Sequence, residues 1–159
     1  MGKKGEGGFT TSTLGVAADS TLRANSEVVI NSRLSGIELV AAVGHEGSHV
    51  ADAQDVVKSI QILDAAKGTF KVGANITRYQ SEQRAYRVTD TLFRSANESG
   101  RFYCGANDCI LGRGLRLPSQ LSREIDRILA NSPLYRSDGM PLAPSNEGGS
   151  VVNGLTVPH

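Results

Sequence analysis

The chain of 159 residues is long enough for one domain with its own core and too short for two comfortable ones. Hydrophobic residues make up 39% and charged residues 21%, with a formal net charge of +1, so the composition is globular and shows no electrostatic preference for nucleic acid. Tryptophan is absent, and no apolar run approaches the length of a membrane span or a signal peptide.

The N-terminal part of the chain predicts a short β-sheet. Residues 1–8 are rich in glycine and lysine, which indicates a flexible tail or a linker from a longer parent protein that could carry an export signal. Residues 9–14 and 20–30 are rich in threonine and valine between turn-forming residues, which predicts two or three strands. The segment 28–31 is interpreted as an ordinary strand, with a sheet edge for an extended ligand as the alternative.

A long amphipathic helix is predicted next. Ser35 with Glu38 fits a capping box, and the helix should run to about Leu63, with residues 64–68 as its exit. Apolar residues at helical spacing should form its core-facing side, namely Leu39, Val43, Val50, Val57 and Ile60, widened by Ala42, Ala53 and Val56.

A His-Glu-x-x-His motif, made by His45, Glu46 and His49, lies inside this predicted helix. Histidines four residues apart share a helix face, so both can bind one zinc ion, and the adjacent carboxylate can take a proton from a zinc-bound water. Two of the three histidines in the chain fall in this motif, so coincidence explains it poorly; a solvated helix with incidental histidines is the alternative. Gly44 and Gly47 cost about 1 kcal/mol each relative to alanine, which predicts a close approach to the backbone.

A second helix is predicted from Arg78 to about Ala96, after a loop or short hairpin at residues 69–72. Thr77 and Gln80 form its capping pair. Four residues of this helix should share one face, namely Glu82, Tyr86, Thr89 and Phe93.

Glu82 is the predicted third metal ligand. A helix packed antiparallel to the first could present its carboxylate across the groove, and the alternative is a solvated glutamate near Arg84 and Arg87. Asp52, one turn after His49, could orient an imidazole, act as the third ligand or lie at the surface. The ligand role fits Asp52 poorly, because a residue on the same helix cannot close a tetrahedral site from the opposite side.

The C-terminal third of the chain predicts packing rather than chemistry. Residues 119–131 should form a last helix of a domain spanning 9–136, and residues 137–159 should form a flexible or surface-draped tail. Cys104 and Cys109 lie in a turn-rich loop, where they could form a local disulfide or remain two free thiols. A cysteine zinc site is disfavoured because no second pair exists.

The motif followed by Glu82 resembles the zincin metallopeptidases, and among them the gluzincin type. The resemblance implies an α+β fold with a short N-terminal sheet, the motif helix, an antiparallel helix carrying Glu82 and a C-terminal helix. It implies zinc held by His45, His49 and Glu82, with Glu46 as general base. Gluzincins use a histidine as oxyanion donor, and no third histidine lies nearby here, so a tyrosine or arginine must serve. Tyr86 is the first candidate because of its spacing from Glu82, and the others are Tyr79, Tyr103, Arg84 and Arg87.

Residues 44–50 followed by 81–86 are also similar to metallopeptidase-like domains at the C-termini of large bacterial secreted proteins, including haemagglutinin-repeat and RHS-repeat polymorphic toxins. This similarity implies secretion or delivery within a larger protein, a protein or peptide substrate, and a cognate inhibitor or immunity protein as partner.

Three functions remain open at this point. The leading prediction is a zinc-dependent endopeptidase. The second is a non-catalytic module that binds zinc for structure and docks to a partner, which a closed four-ligand site would favour. The third is a helical domain in which the motif is incidental, and stoichiometric metal analysis would distinguish it from the other two.

Overall fold

Two separate antiparallel hairpins and two helices make up the part of the chain that can be described. The computed structural model describes residues 7–96, 123, 125, 127, 150–153 and 155. The elements are β1 (Gly8–Val16), β2 (Leu22–Ile30), α1 (Gly36–Lys58), β3 (Ile60–Asp64), β4 (Thr69–Val72) and α2 (Arg78–Ser95). β1 pairs with β2 and β3 pairs with β4, which gives a small mixed fold of α and β elements.

The β1–β2 hairpin lies where two or three strands were predicted, with strand limits that differ by up to two residues from the predicted 9–14 and 20–30. β1 begins at Gly8, the last residue of the predicted tail 1–8, of which residues 1–6 lie outside the described part. The carboxylate of Asp19 holds the turn by accepting hydrogen bonds from the hydroxyl (2.6 Å) and the N–H (3.1 Å) of Thr21. These bonds keep the pKa of Asp19 below its usual value.

The helix α1 is shorter than predicted, because it ends at Lys58 rather than near Leu63. The residues that follow form β3, and Asp64 closes the turn to β4 by accepting from the N–H groups of Ala66 (3.0 Å) and Lys67 (3.2 Å). A short apolar run fits a helix end or a strand equally well, and pairing with β4 decides in favour of the strand.

The two helices begin differently. Ser35 is extended (φ −147°) at the N-cap of α1 but makes no side-chain capping bond, so the predicted capping box with Glu38 is wrong. Gly36 follows with φ +54°, a conformation that glycine adopts without steric cost. At α2 the predicted box is confirmed: the Gln80 N–H donates to the Thr77 hydroxyl, and the Thr77 N–H donates to Gln80 Oε1, both at 3.1 Å.

The buried side of α1 also differs from the prediction. Leu39 and Val43, expected in the core, are 38% and 52% exposed. The burial of four predicted core residues is confirmed, namely Ala42, Ala53, Val56 and Val57. The helix also buries Ala41, Glu46, His49 and Asp52, so part of the motif is turned inward with the core face.

α1 and α2 pack side by side and run antiparallel, as predicted. Gly44 lies against Leu92 and Val88 in the second half of α2, whereas His49 contacts Ser81 near its start. The close approach predicted at Gly44 and Gly47 is therefore found at Gly44, where α2 packs onto α1, and the prediction is wrong at Gly47.

The two glycines of the motif region should respond differently to alanine. Gly47→Ala is expected to stabilise the fold by up to about 1 kcal/mol, because no described atom lies within 4 Å of the new Cβ and alanine favours the helix. Gly44→Ala should gain less, because its Cβ would lie 2.5 Å from Leu92 Cδ1, which must then rotate. Thermal unfolding followed by circular dichroism compares the two. A larger gain in stability for Gly44→Ala than for Gly47→Ala would contradict the close contact between Gly44 and Leu92.

The main core lies between the β1–β2 hairpin, the C-terminal half of α1 and a segment near the end of the chain. Its buried members are Ala24, Ala53, Val56, Val57, Ile76, Val152 and Leu155. Val152 and Leu155 are 0% and 4% exposed, so the predicted tail of residues 137–159 is wrong at these positions. The Asn153 N–H donates to the Ser12 carbonyl at 2.8 Å, which adds this segment to the edge of β1. Glycine and proline around the apolar pair concealed its burial in the sequence.

Little of the predicted last helix can be described. Ile125 lies in a helical segment and is fully buried, in agreement with the packing role expected for residues 119–131. Cys104 and Cys109 lie outside the described residues. Within the described ranges, no helix is long and apolar enough to cross a membrane.

Candidate metal centre

Two imidazoles of α1 face α2 near the middle of the helix pair. His45 and His49 lie one turn apart on the same side of the helix, with ring centroids 5.0 Å apart and ring planes at 79°. The side chains are 17% and 11% exposed. Both rings are therefore shielded by protein yet still reachable from solvent, as the spacing of the two residues predicts.

The carboxylate of Glu82 on α2 lies between the two rings. Its Oε2 is 3.3 Å from His45 Nε2, and its Oε1 is 3.5 Å from His49 Nε2. One potential ligand atom from each of the three residues lies within 4.8 Å of the others, which makes them a group that could hold a metal ion. The antiparallel packing of α2 therefore brings Glu82 to the histidines, as expected from the sequence.

The spacing of these atoms can be compared with zinc chemistry. Zinc binds histidine nitrogen and carboxylate oxygen at about 2.0–2.2 Å, and two such bonds at a tetrahedral angle separate the ligand atoms by about 3.3 Å. The observed separations of 3.3 and 3.5 Å, which run to the two different oxygens of Glu82, are close to this value, and the three ligand atoms lie within 4.8 Å of one another. Two nitrogens and a carboxylate are also a donor set that zinc accepts, so the residues fit the ion.

Hydroxyl groups of α2 meet the opposite nitrogens of both rings. Thr89 Oγ1 lies 3.2 Å from His45 Nδ1, and Ser81 Oγ lies 2.7 Å from His49 Nδ1. Thr89 donates its own proton to the carbonyl of Ala85 (3.1 Å), so it accepts from the Nδ1–H of His45. In the neutral ring, this arrangement leaves the lone pair of Nε2 pointing towards Glu82, where a metal would bind.

Negative charge surrounds His45. Burial lowers its pKa, because desolvation penalises the imidazolium ion, but the hydrogen bond and charge of Glu82 and the charge of Glu46 outweigh burial. The net pKa of His45 is therefore raised above its usual value. The same negative field that favours a proton on the ring also favours a divalent cation, and the two compete for Nε2.

Glu46 lies beside the triad and is not part of it. Its side chain is buried, with 5% of the residue exposed, and it faces β1. Thr10 Oγ1 on β1 lies 2.8 Å from Glu46 Oε2 and donates to it. The carboxylate is thus held by β1 and does not join the group that could hold the metal ion, although its charge acts on His45.

Tyr86 is an oxyanion candidate whose ring contacts His45 of the triad. Its ring centroid lies 4.9 Å from that of His45, with the planes at 75°. Tyr79 is 7% exposed and belongs to the buried core, and Arg84 is engaged by Asp52. The remaining candidates are Arg87, which is exposed on α2, and Tyr103, which lies outside the described residues.

Asp52 takes none of the roles considered from the sequence. It is buried, and its Oδ1 accepts a hydrogen bond from Arg84 Nη1 at 2.7 Å. The described residues therefore show it linking α1 to α2 through an ion pair, rather than binding the metal group or lying at the surface.

A cleft of about 320 Å³ adjoins the site on the side of His49 and Ser81. Its other walls come from β1, the start of α2 and the C-terminal segment, namely Phe9, Thr10, Thr11, Ser12, Arg78, Val151 and Asn153. The strand beside the candidate site is therefore β1. Residues 28–30 belong to β2 and do not line the cleft, so the ordinary strand favoured for the segment 28–31 agrees with the structure and its alternative as the ligand-binding edge does not.

The backbone of β1 offers hydrogen-bonding groups along this cleft. The Asn31 N–H donates to the Gly7 carbonyl at 2.9 Å, which makes the odd-numbered residues of β1 the ones bonded to β2. The even-numbered residues Gly8, Thr10 and Ser12 consequently turn their N–H and C=O groups away from β2, and the Ser12 carbonyl is bonded to the Asn153 N–H. An extended chain lying in the cleft would meet the groups of Gly8 and Thr10.

Three residues of the site were missed or only partly indicated by the sequence. Ser81 directly precedes Glu82, and Thr89 lies two helical turns after Glu82. Their positions on α2 therefore indicated that both lie near the predicted third ligand. Thr10 had no such signal, because it comes from a strand 36 residues away in the chain.

Comparisons with known proteins give no further indication. No family model matches the chain, and neither a curated protein nor a solved structure matches it.

Proposed function

We propose that this protein is a zinc-dependent peptidase of the zincin type. The observation that carries the proposal is the convergence of His45 Nε2, His49 Nε2 and the Glu82 carboxylate, at 3.3 and 3.5 Å, next to a buried glutamate outside the triad. Three protein ligands with a carboxylate at their side are the set that a hydrolytic zinc site needs.

Each residue has a role that its contacts support. His45, His49 and Glu82 would hold the ion, which when bound lowers the pKa of a water to about 7 and polarises the substrate carbonyl. Glu46 accepts the proton of the attacking water and passes it to the leaving amine. Its place in the helix turn between the two histidines, 5% exposed, supports this role.

Tyr86 is proposed to donate a hydrogen bond to the oxygen that becomes negative as the carbonyl is attacked. Its contact with the His45 ring at 4.9 Å supports this assignment. The cleft beside His49 supports a peptide substrate, because an extended chain there can pair with the outward backbone groups of β1.

The direct test is metal analysis combined with a cleavage assay on unfolded casein and a mixed peptide library. We expect about one zinc per chain, cleavage that stops when zinc is chelated, and recovery on adding zinc. X-ray absorption should show two imidazoles, one carboxylate and a solvent ligand.

Two other results would each overturn the proposal. A four-ligand protein site with no cleavage of either substrate would favour the non-catalytic zinc module. Absence of stoichiometric metal after purification without chelators would favour an incidental motif.

A further inference from the structure

A single hydroxyl from the N-terminal strand is bonded to the glutamate of the motif. Thr10 Oγ1 lies 2.8 Å from Glu46 Oε2 and 3.3 Å from the Glu46 carbonyl oxygen. With one proton to donate, the hydroxyl is directed to the carboxylate by the shorter distance and the negative charge. This contact joins β1 to the centre of α1.

The aliphatic part of the Glu46 side chain is also restricted by β1. A Cβ built on Gly8 would lie 3.0 Å from Glu46 Cγ, so the strand backbone packs directly on the glutamate. Gly8 limits the position of the Glu46 methylene groups, and Thr10 holds the Glu46 carboxylate by a hydrogen bond. Together they direct the carboxylate towards the strand.

This restraint matters because Glu46 stands next to two metal ligands on the same helix. A carboxylate oxygen is itself a good zinc ligand, and zinc sites can expand from four to five ligands. A glutamate that bound the ion could not take a proton from water. Glu46 and Glu82 thus present the same functional group to one site, and their surroundings must separate their roles.

We propose that Thr10 is a positioning residue that keeps Glu46 off the metal and available as a base. The proposal rests on the function proposed above. It assigns to the N-terminal hairpin a part in the chemistry as well as in lining the cleft.

The first test uses cobalt(II) in place of zinc and requires no substrate. Visible absorption of cobalt(II) weakens as its coordination rises from four to five, so it reports a carboxylate joining the ion. We expect Thr10→Val to lose absorption intensity relative to the parent. The double variant Thr10→Val/Glu46→Gln should recover it, because an amide is a poorer ligand than a carboxylate.

The second test is kinetic and uses a peptide that the parent cleaves. Thr10→Val should lower kcat by about 10- to 100-fold, as seen when partners that orient catalytic-site groups are removed, with KM unchanged. Thr10→Ser keeps the hydroxyl and should restore most of kcat. Thr13→Val is the matched control, because Thr13 is exposed on the opposite face of β1 and does not line the cleft.

The outcomes separate this proposal from the broader one. If Thr10→Val matches the parent in both the cobalt spectrum and kcat, the positioning role is overturned while the peptidase stands. If the parent binds cobalt but cleaves no peptide, the base role falls with the peptidase, and the spectrum decides whether Thr10 keeps Glu46 off the metal. If the parent binds no cobalt, both proposals fall. Circular dichroism verifies folding, and Thr10→Ala replaces Thr10→Val should the valine variant not fold.

Discussion

Replacing Glu46 by glutamine is expected to abolish peptide cleavage while zinc content stays at the level of the parent. Glutamine has nearly the same shape, and its amide oxygen can still accept the hydrogen bond that Thr10 donates to Oε2 at 2.8 Å. It cannot take a proton from water at neutral pH. Removing a general base typically lowers the rate by about 100- to 10,000-fold.

The measurement is kcat/KM on a quenched fluorescent peptide, with zinc determined on the same sample. Asp55→Asn is the matched control, because Asp55 lies on the same helix with its side chain 67% exposed. That variant should cleave as fast as the parent. Cleavage by Glu46→Gln at the parental rate would show that another group takes the proton.

Removing the carboxylate of Glu82 is expected to abolish tight metal binding. In Glu82→Ala the two imidazoles remain, but the oxygens now 3.3 and 3.5 Å from their Nε2 atoms are lost. Two ligands from one helix face cannot enclose the ion. At zinc concentrations about 1,000-fold above the parental dissociation constant, the parent should gain about 4 kcal/mol of stability and the variant close to none.

Thermal unfolding with and without zinc measures this difference directly. Glu27→Ala is the control, because Glu27 is an exposed glutamate on β2, and it should keep the full zinc-dependent shift. A normal shift in Glu82→Ala would mean that the third ligand is not Glu82.

The helical part of the site was predictable because its signals are local. His45 and His49 are one turn apart, and that spacing alone puts them on one face of any helix. The capping pair of Thr77 and Gln80 fixed the start of α2 just before Glu82. Antiparallel packing of two neighbouring helices then brings the carboxylate to the imidazoles.

Predictions that depended on which partner an apolar residue meets were less successful. Leu39 and Val43 have the periodicity of a core face and yet lie at the surface, whereas Gly44 beside them packs against α2. The segment after Lys58 pairs with β4 rather than continuing the helix. Val152 and Leu155 fill the core from a stretch whose composition indicated a loose tail.

The sequence by itself therefore determined the residue types of the candidate metal group, their spacing along each helix and the presence of strands at the N-terminus, because these follow from the geometry of single elements. Only the tertiary structure decided that β1 lies beside the candidate site, that Thr10 holds Glu46, and that hydroxyls of α2 meet both imidazoles. Those contacts join residues between 32 and 44 positions apart. Their formation depends on how whole elements pack, which no local pattern of residues specifies.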